Sequence, residues 1–108
     1  MTEINNHNVP KVGDVVAVHL VSGITVLGRL QKSDDAGYVP VAKPMALIVQ
    51  PNGQGSLAIS MMPYLSSGVF PALDSIEFDL RHVMFLRVVP EKIEKLYMEM
   101  TSGIALVR

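Results

Sequence analysis

Lys32, Asp34, Asp35, Tyr38, Arg81 and His82 carry most of the chemistry this chain offers. Their types suit noncovalent recognition rather than bond-making. Arg81 supplies a guanidinium for a phosphate, and the adjacent His82 an imidazole that can hydrogen-bond to a base or stack on it. Each has a plainer alternative: Arg81 can pair with Asp79, and His82 can simply close a turn. Asp34 and Asp35 lie in Ser33-Asp34-Asp35-Ala36-Gly37. A carboxylate there either meets a base edge or orients the loop. Tyr38 offers a stacking face or a cover for that loop. Lys32, like Lys43, is a phosphate contact or an ordinary surface charge.

Other chemistries have less behind them. His7, His19 and His82 show no ligand spacing, so neither a metal nor a cofactor is expected. Glu77 and Asp79 alternate onto one strand face, which a solvated surface explains without acid–base work. Ser66-Ser67-Gly68 lacks the pattern of a phosphate-binding loop. The chain has no cysteine, which removes both a thiolate nucleophile and a disulfide framework. The expectation is a protein that is not an enzyme.

Composition narrows the classes further. The 108 residues suit one domain, and a hydrophobic fraction of 49% supports a core. Nine basic residues against ten acidic ones give a net charge of -1. That balance argues against a broadly basic surface for nucleic acid, while leaving room for a local patch multiplied by symmetry. No apolar run approaches the roughly 20 residues a membrane span requires. A cytoplasmic protein without a membrane partner is the expectation.

The elements that must position the polar residues are short strands. Residues 1–13 read as an arm. Residues 15–21 form a strand that is apolar on both faces, so both are expected to be covered. Ser22-Gly23 marks a turn, and a second strand follows from Thr25 to about Lys32. Gly28 inside it removes bulk where the sheet bends or a backbone comes close. Residues 38–44 hold Pro40 and Pro44 and read as an edge or a long loop. Strands are expected at 45–50 and 57–62, then an irregular excursion over 63–75. Residues 76–80 are either an independent strand or the continuation of an interrupted one. A final strand runs over 83–89. Ile93, Leu96, Tyr97, Met100 and Ile104 recur at helical spacing, with Pro90 and Glu91 suited to a helix start and Gly103 to its stop. The expected domain plan is an arm at 1–13, a barrel at 14–90, and an amphipathic helix with a tail at 91–108.

This pattern resembles the Sm-like family, which includes bacterial Hfq. The first family motif is similar to Val18-His19-Leu20-Val21-Ser22-Gly23-Ile24-Thr25-Val26-Leu27-Gly28-Arg29-Leu30, with Ser33-Asp34-Asp35 in place of the polar loop. The second is similar to Leu80-Arg81-His82-Val83-Met84-Phe85-Leu86-Arg87-Val88-Val89-Pro90. The family's asparagine has no match between Ala36 and Lys43, the path between the motifs is long, and the helix follows the barrel instead of preceding it. The resemblance implies an all-β fold, a small five-stranded, partly open Sm-like barrel with a C-terminal helix. It also implies a homo-oligomeric ring of five to seven subunits. The strands at 83–89 and 57–62 are the expected interface, and the pore loops are expected to bind single-stranded RNA. The alternative is an oligomeric scaffold or assembly protein without RNA-binding activity.

Overall fold

The structure is a computed structural model and describes residues 9–102. The chain folds into six antiparallel strands and one C-terminal helix. Expectations for residues 1–8 and 103–108, including His7, the Gly103 stop and Ile104, lie outside the described residues.

Strands β1 (Val15–Leu20) and β2 (Thr25–Leu30) form a hairpin. Gly23 turns it with φ +99°, and its N–H donates to the Leu20 carbonyl at 2.9 Å. That backbone region is open to glycine at little cost. Gly28 has a different task. A Cβ placed on it would lie 2.7 Å from the Cβ of Val41, so the next strand fits only because no side chain is there.

That next strand, β3 (Tyr38–Pro51), is long and broken in the middle. Its first part pairs with β5 (Ser75–Asp79), and its second part with β4 (Leu57–Pro63). Both parts pair with β2 on the opposite side. Between them, Lys43 and Pro44 have no ladder partner, and Lys43 takes φ 48°. The expectation that residues 38–44 form an edge or loop is therefore corrected: residues 38–42 lie between two strands. Pro40 is tolerated because its carbonyl, not an N–H, is used, accepting from Gln31 N–H at 2.9 Å. Pro44 falls at the break, where no ladder donor is required.

The interrupted-strand alternative describes β4 and β5 well. They occupy the same edge of β3 end to end, with residues 64–74 inserted between them. Six strands thus fill five sheet positions. The sheet order is β4-β3-β2-β1-β6, where β6 is Val83–Val88. β5 reaches β6 through a 3-10 turn, Leu80–His82, and the sheet does not close on itself.

Both sheet faces are apolar, and each has its own cover. On the inner face, Val16, Val18, Leu20, Val26, Val41 and Phe78 pack together as the sheet curls. On the outer face, Val15, Ala17, Leu27, Met45 and Met61 pack under helix α1 (Glu91–Ser102). Tyr97 anchors the helix: its side chain is buried, and its hydroxyl donates to the carbonyls of Ala42 and Lys43 at 3.0 and 2.9 Å. Those carbonyls flank the break in β3, so the helix holds the bend from outside. Ile93 and Leu96 complete its packed face, whereas Met100 remains exposed. Among the described residues no helix is long and apolar enough to cross a membrane.

Candidate functional site

The fold joins the two polar loops named from the sequence. Tyr38 opens β3 opposite Asp79 at the end of β5. One residue beyond each, Leu80 N–H donates to the Gly37 carbonyl at 2.9 Å. Loop 33–37 and the turn Leu80–His82 therefore leave the sheet side by side. Asp34, Asp35, Tyr38, Arg81 and His82 are all exposed there, as is Lys32 just after β2.

Each loop is set by its own hydrogen bonds. Asp35 Oδ1 accepts from Gly37 N–H at 2.8 Å, and Ser33 Oγ accepts from Asp35 N–H at 3.1 Å. The Asp35 carboxylate thus orients the loop as a short polar side chain often does in turns. Asp79 organises the other loop. It caps the 3-10 turn by accepting from Arg81 N–H at 2.9 Å. It also receives the Arg81 guanidinium through Nε at 3.1 Å and a terminal nitrogen at 2.7 Å. The guanidinium and the backbone N–H hold the Asp79 carboxyl down at about 2, and the same pairing raises Arg81. The Arg81 side chain is nevertheless 84% exposed. Its Nε and one terminal nitrogen are engaged while most of the side chain is open to solvent. His82 contributes its carbonyl, which accepts from Val21 N–H at 2.9 Å and ties the turn to the β1–β2 hairpin.

The charge around this junction is not that of a phosphate track. Asp34, Asp35, Glu77 and Asp79 surround it, against Lys32 and Arg81. What the arrangement can do is present an aromatic ring and a flat, fixed guanidinium. The pairing of Arg81 with Asp79 is one of the two readings the sequence offered. The position of Asp79, two residues before Arg81, was visible, but the role of its carboxylate depends on the 3-10 turn that folds Arg81 back onto it.

A second polar group joins His19, expected from the sequence at an interface or on a partly buried sheet face, to a partner the sequence did not indicate. On the outer face beyond the helix, His19 lies opposite both Thr25 and Phe85. Arg87 Nε donates to His19 Nε2 at 3.1 Å, and His19 Nδ1 meets Thr25 Oγ1 at 3.0 Å. Nε2 is thus an acceptor and Nδ1 carries the proton. Burial, with the nearby Arg87 charge, lowers the His19 pKa and favours that neutral ring. Arg87 also lies 5.7 Å from the centre of the Phe85 ring. These groups border an open groove of about 580 Å³ with Leu27, Leu47 and Val89. The available signal was the alternation placing His19 with Val15 and Ala17, but its partner is 68 residues away in sequence.

No protein-family model matches the chain, and no curated protein matches it in sequence.

Proposed function

We propose that this chain is a non-catalytic Sm-like subunit that assembles edge to edge into a ring of five to seven copies. The joined loops 33–37 and Leu80–His82 would bind single-stranded RNA. The observation that carries this reading is the Leu80–Gly37 hydrogen bond, which fixes both loops at one sheet end. The open edges support assembly. β4 and β6 end the sheet order, and unpaired edges invite a partner strand. Pairing β6 of one copy with β4 of the next is head-to-tail, and such contacts close into rings when the rotation permits.

The recognition is of bases more than of phosphates. Asp79 occupies the hydrogen-bonding edge of Arg81 and leaves its faces for stacking, beside an exposed Tyr38 ring. Aromatic stacking of a base contributes about 1–3 kcal/mol. Binding of short uridine- or adenosine-rich RNA is measured by fluorescence anisotropy. Tyr38→Ala or Arg81→Ala then weakens it about tenfold, and the dependence on salt is shallow.

The four carboxylates around the loops favour the scaffold as a second reading. Under that reading the protein assembles normally, retains no RNA at low salt, and is indifferent to Arg81→Ala.

A further inference from the structure

Residues 44–73 contain no charged side chain. This stretch covers the insertion at 64–74 up to its last residue, Asp74, and the insertion departs from the middle of a sheet edge. Its root is fixed: Tyr64 packs against Phe78 with ring centres 5.8 Å apart, and Tyr64 N–H donates to the Pro44 carbonyl at 2.9 Å. Its tip is also ordered by hydrogen bonds. Ser67 Oγ accepts from the N–H groups of Val69 and Phe70, each at 3.1 Å, and Ser67 N–H donates to the Phe70 carbonyl at 2.8 Å. The result is a hydrogen-bonded turn that presents Val69 81% exposed and Phe70 66% exposed. A preorganised apolar tip has already lost much of the entropy that binding would otherwise cost.

The same chain carries a hollow suited to such a tip. The outer-face groove has an apolar floor of Leu27, Leu47 and Val89, with Phe85 and Arg87 on its β6 side. Among the described residues, no hydrogen bond engages the terminal nitrogens of Arg87, and Phe85 is 55% exposed. An incoming phenyl ring would meet an aromatic partner and a cation together. An uncharged tip brings no ion into the groove that would need a counter-charge.

Within one molecule the base of the insertion and the groove lie near opposite ends of α1. Ala72 and Leu73, at the base of the insertion, adjoin Met100 and Thr101 at the C-terminal end of α1. The groove reaches Pro90, just before its N-terminal end. A helix of this length separates them by about 18 Å. The insertion belongs to the β4/β5 edge of the sheet, whereas Phe85 and Arg87 of the groove sit on the opposite edge strand, β6.

We propose that the Val69–Phe70 tip of one copy inserts into the Leu27/Leu47/Phe85/Arg87 groove of the next copy. The inference rests on the head-to-tail assembly above and adds a side-chain lock to it. The insertion is then what gives the ring its specificity for copies of itself, because backbone pairing alone would accept many strands.

The natural absence of cysteine gives a direct test. Phe70→Cys and Thr25→Cys are introduced into separate full-length chains, mixed and oxidised. The expected product is a disulfide-linked dimer from the mixture and not from either variant alone. The chain carrying both substitutions gives a ladder that stops at the ring number. In the otherwise natural protein, Phe70→Asp raises the concentration for half-assembly about thirtyfold by sedimentation velocity, with its thermal midpoint at monomer concentrations unchanged. A ring that persists in Phe70→Asp and yields no crosslink overturns the lock and leaves the ring standing. A protein monomeric at every concentration overturns both. Pelleting with phosphatidylcholine vesicles that depends on Phe70, without self-association, overturns it in favour of a lipid surface.

Discussion

Residues 38–42 and 45–51 are consecutive parts of one strand, yet they serve different surroundings. The first part is held on both edges, carries buried Val39 and Val41, and ends in loops pinned by Asp35 and Asp79. The second part runs with β4 past the end of β2 into a hairpin whose residues 49–60 are all exposed. Val49, Leu57 and Ile59 lie open there without a charge nearby. A two-stranded ribbon with no covered face has little stability of its own. One end of β3 is completed within the chain, and the other ends in an exposed apolar hairpin.

The clamp between the two ends is the most sensitive place to disturb. Tyr97→Ala removes a buried ring and the donor to both carbonyls at the break. A loss of about 3–5 kcal/mol is expected in urea unfolding. Tyr97→Phe keeps the ring and strands the carbonyls, with an expected loss of about 1–2 kcal/mol. Equal losses from the two variants would show that the hydroxyl alone holds the bend.

Gly28→Ala tests the close approach on which the first part depends. The added methyl meets the Cβ of Val41 and the Ala42 carbonyl, 3.1 Å away, neither of which can swing aside. Overpacking of this kind costs about 1–3 kcal/mol, read from the thermal midpoint. A neutral result would mean that the two strands are less tightly joined than the second part is to β4.

Asp79→Asn gives a smaller effect, present at neutral pH and fading in acid. The native carboxyl sits at about 2, below its ordinary 3.8, so the unfolded chain binds the proton more readily. Its stabilisation is present above the ordinary value and is lost as pH falls from there towards 2. The variant should flatten that segment of the stability–pH curve, measured by urea midpoints between pH 2 and 5.

Ile59→Lys should change monomer stability by no more than about 0.5 kcal/mol, since the residue is exposed on an uncovered ribbon. A large loss in dilute protein would place the hairpin in the folded core and abolish the contrast between the two ends.

Much of this was legible in the sequence. The β1–β2 hairpin, the strand at 57–62 and the helix all announce themselves by period and by glycine or proline. The need for closeness at Gly28 was readable too. The reach of β3 was not, because Pro40 and Pro44 argue locally against a strand. Only the positions of its neighbours show that neither missing N–H is required. The residues of the candidate loops are exposed, and their adjacency, set by the β3–β5 pairing, was not read from the sequence. The capture of Arg81 by Asp79 was one of two readings that the residues left open, and the turn geometry decides for pairing. The His19–Arg87 contact was invisible because it joins strands from opposite ends of the chain.

The shared edge of β4 and β5 makes residues 64–74 a natural place for replacement. Register is fixed on either side by separate ladders to β3, so the segment between them transmits no information about alignment. Doubling such a loop costs only about 0.6 kcal/mol in closure entropy. A foreign peptide could be carried there while both ladders to β3 stay in register. By the same logic, this is where related chains can diverge in length and partner while keeping one framework.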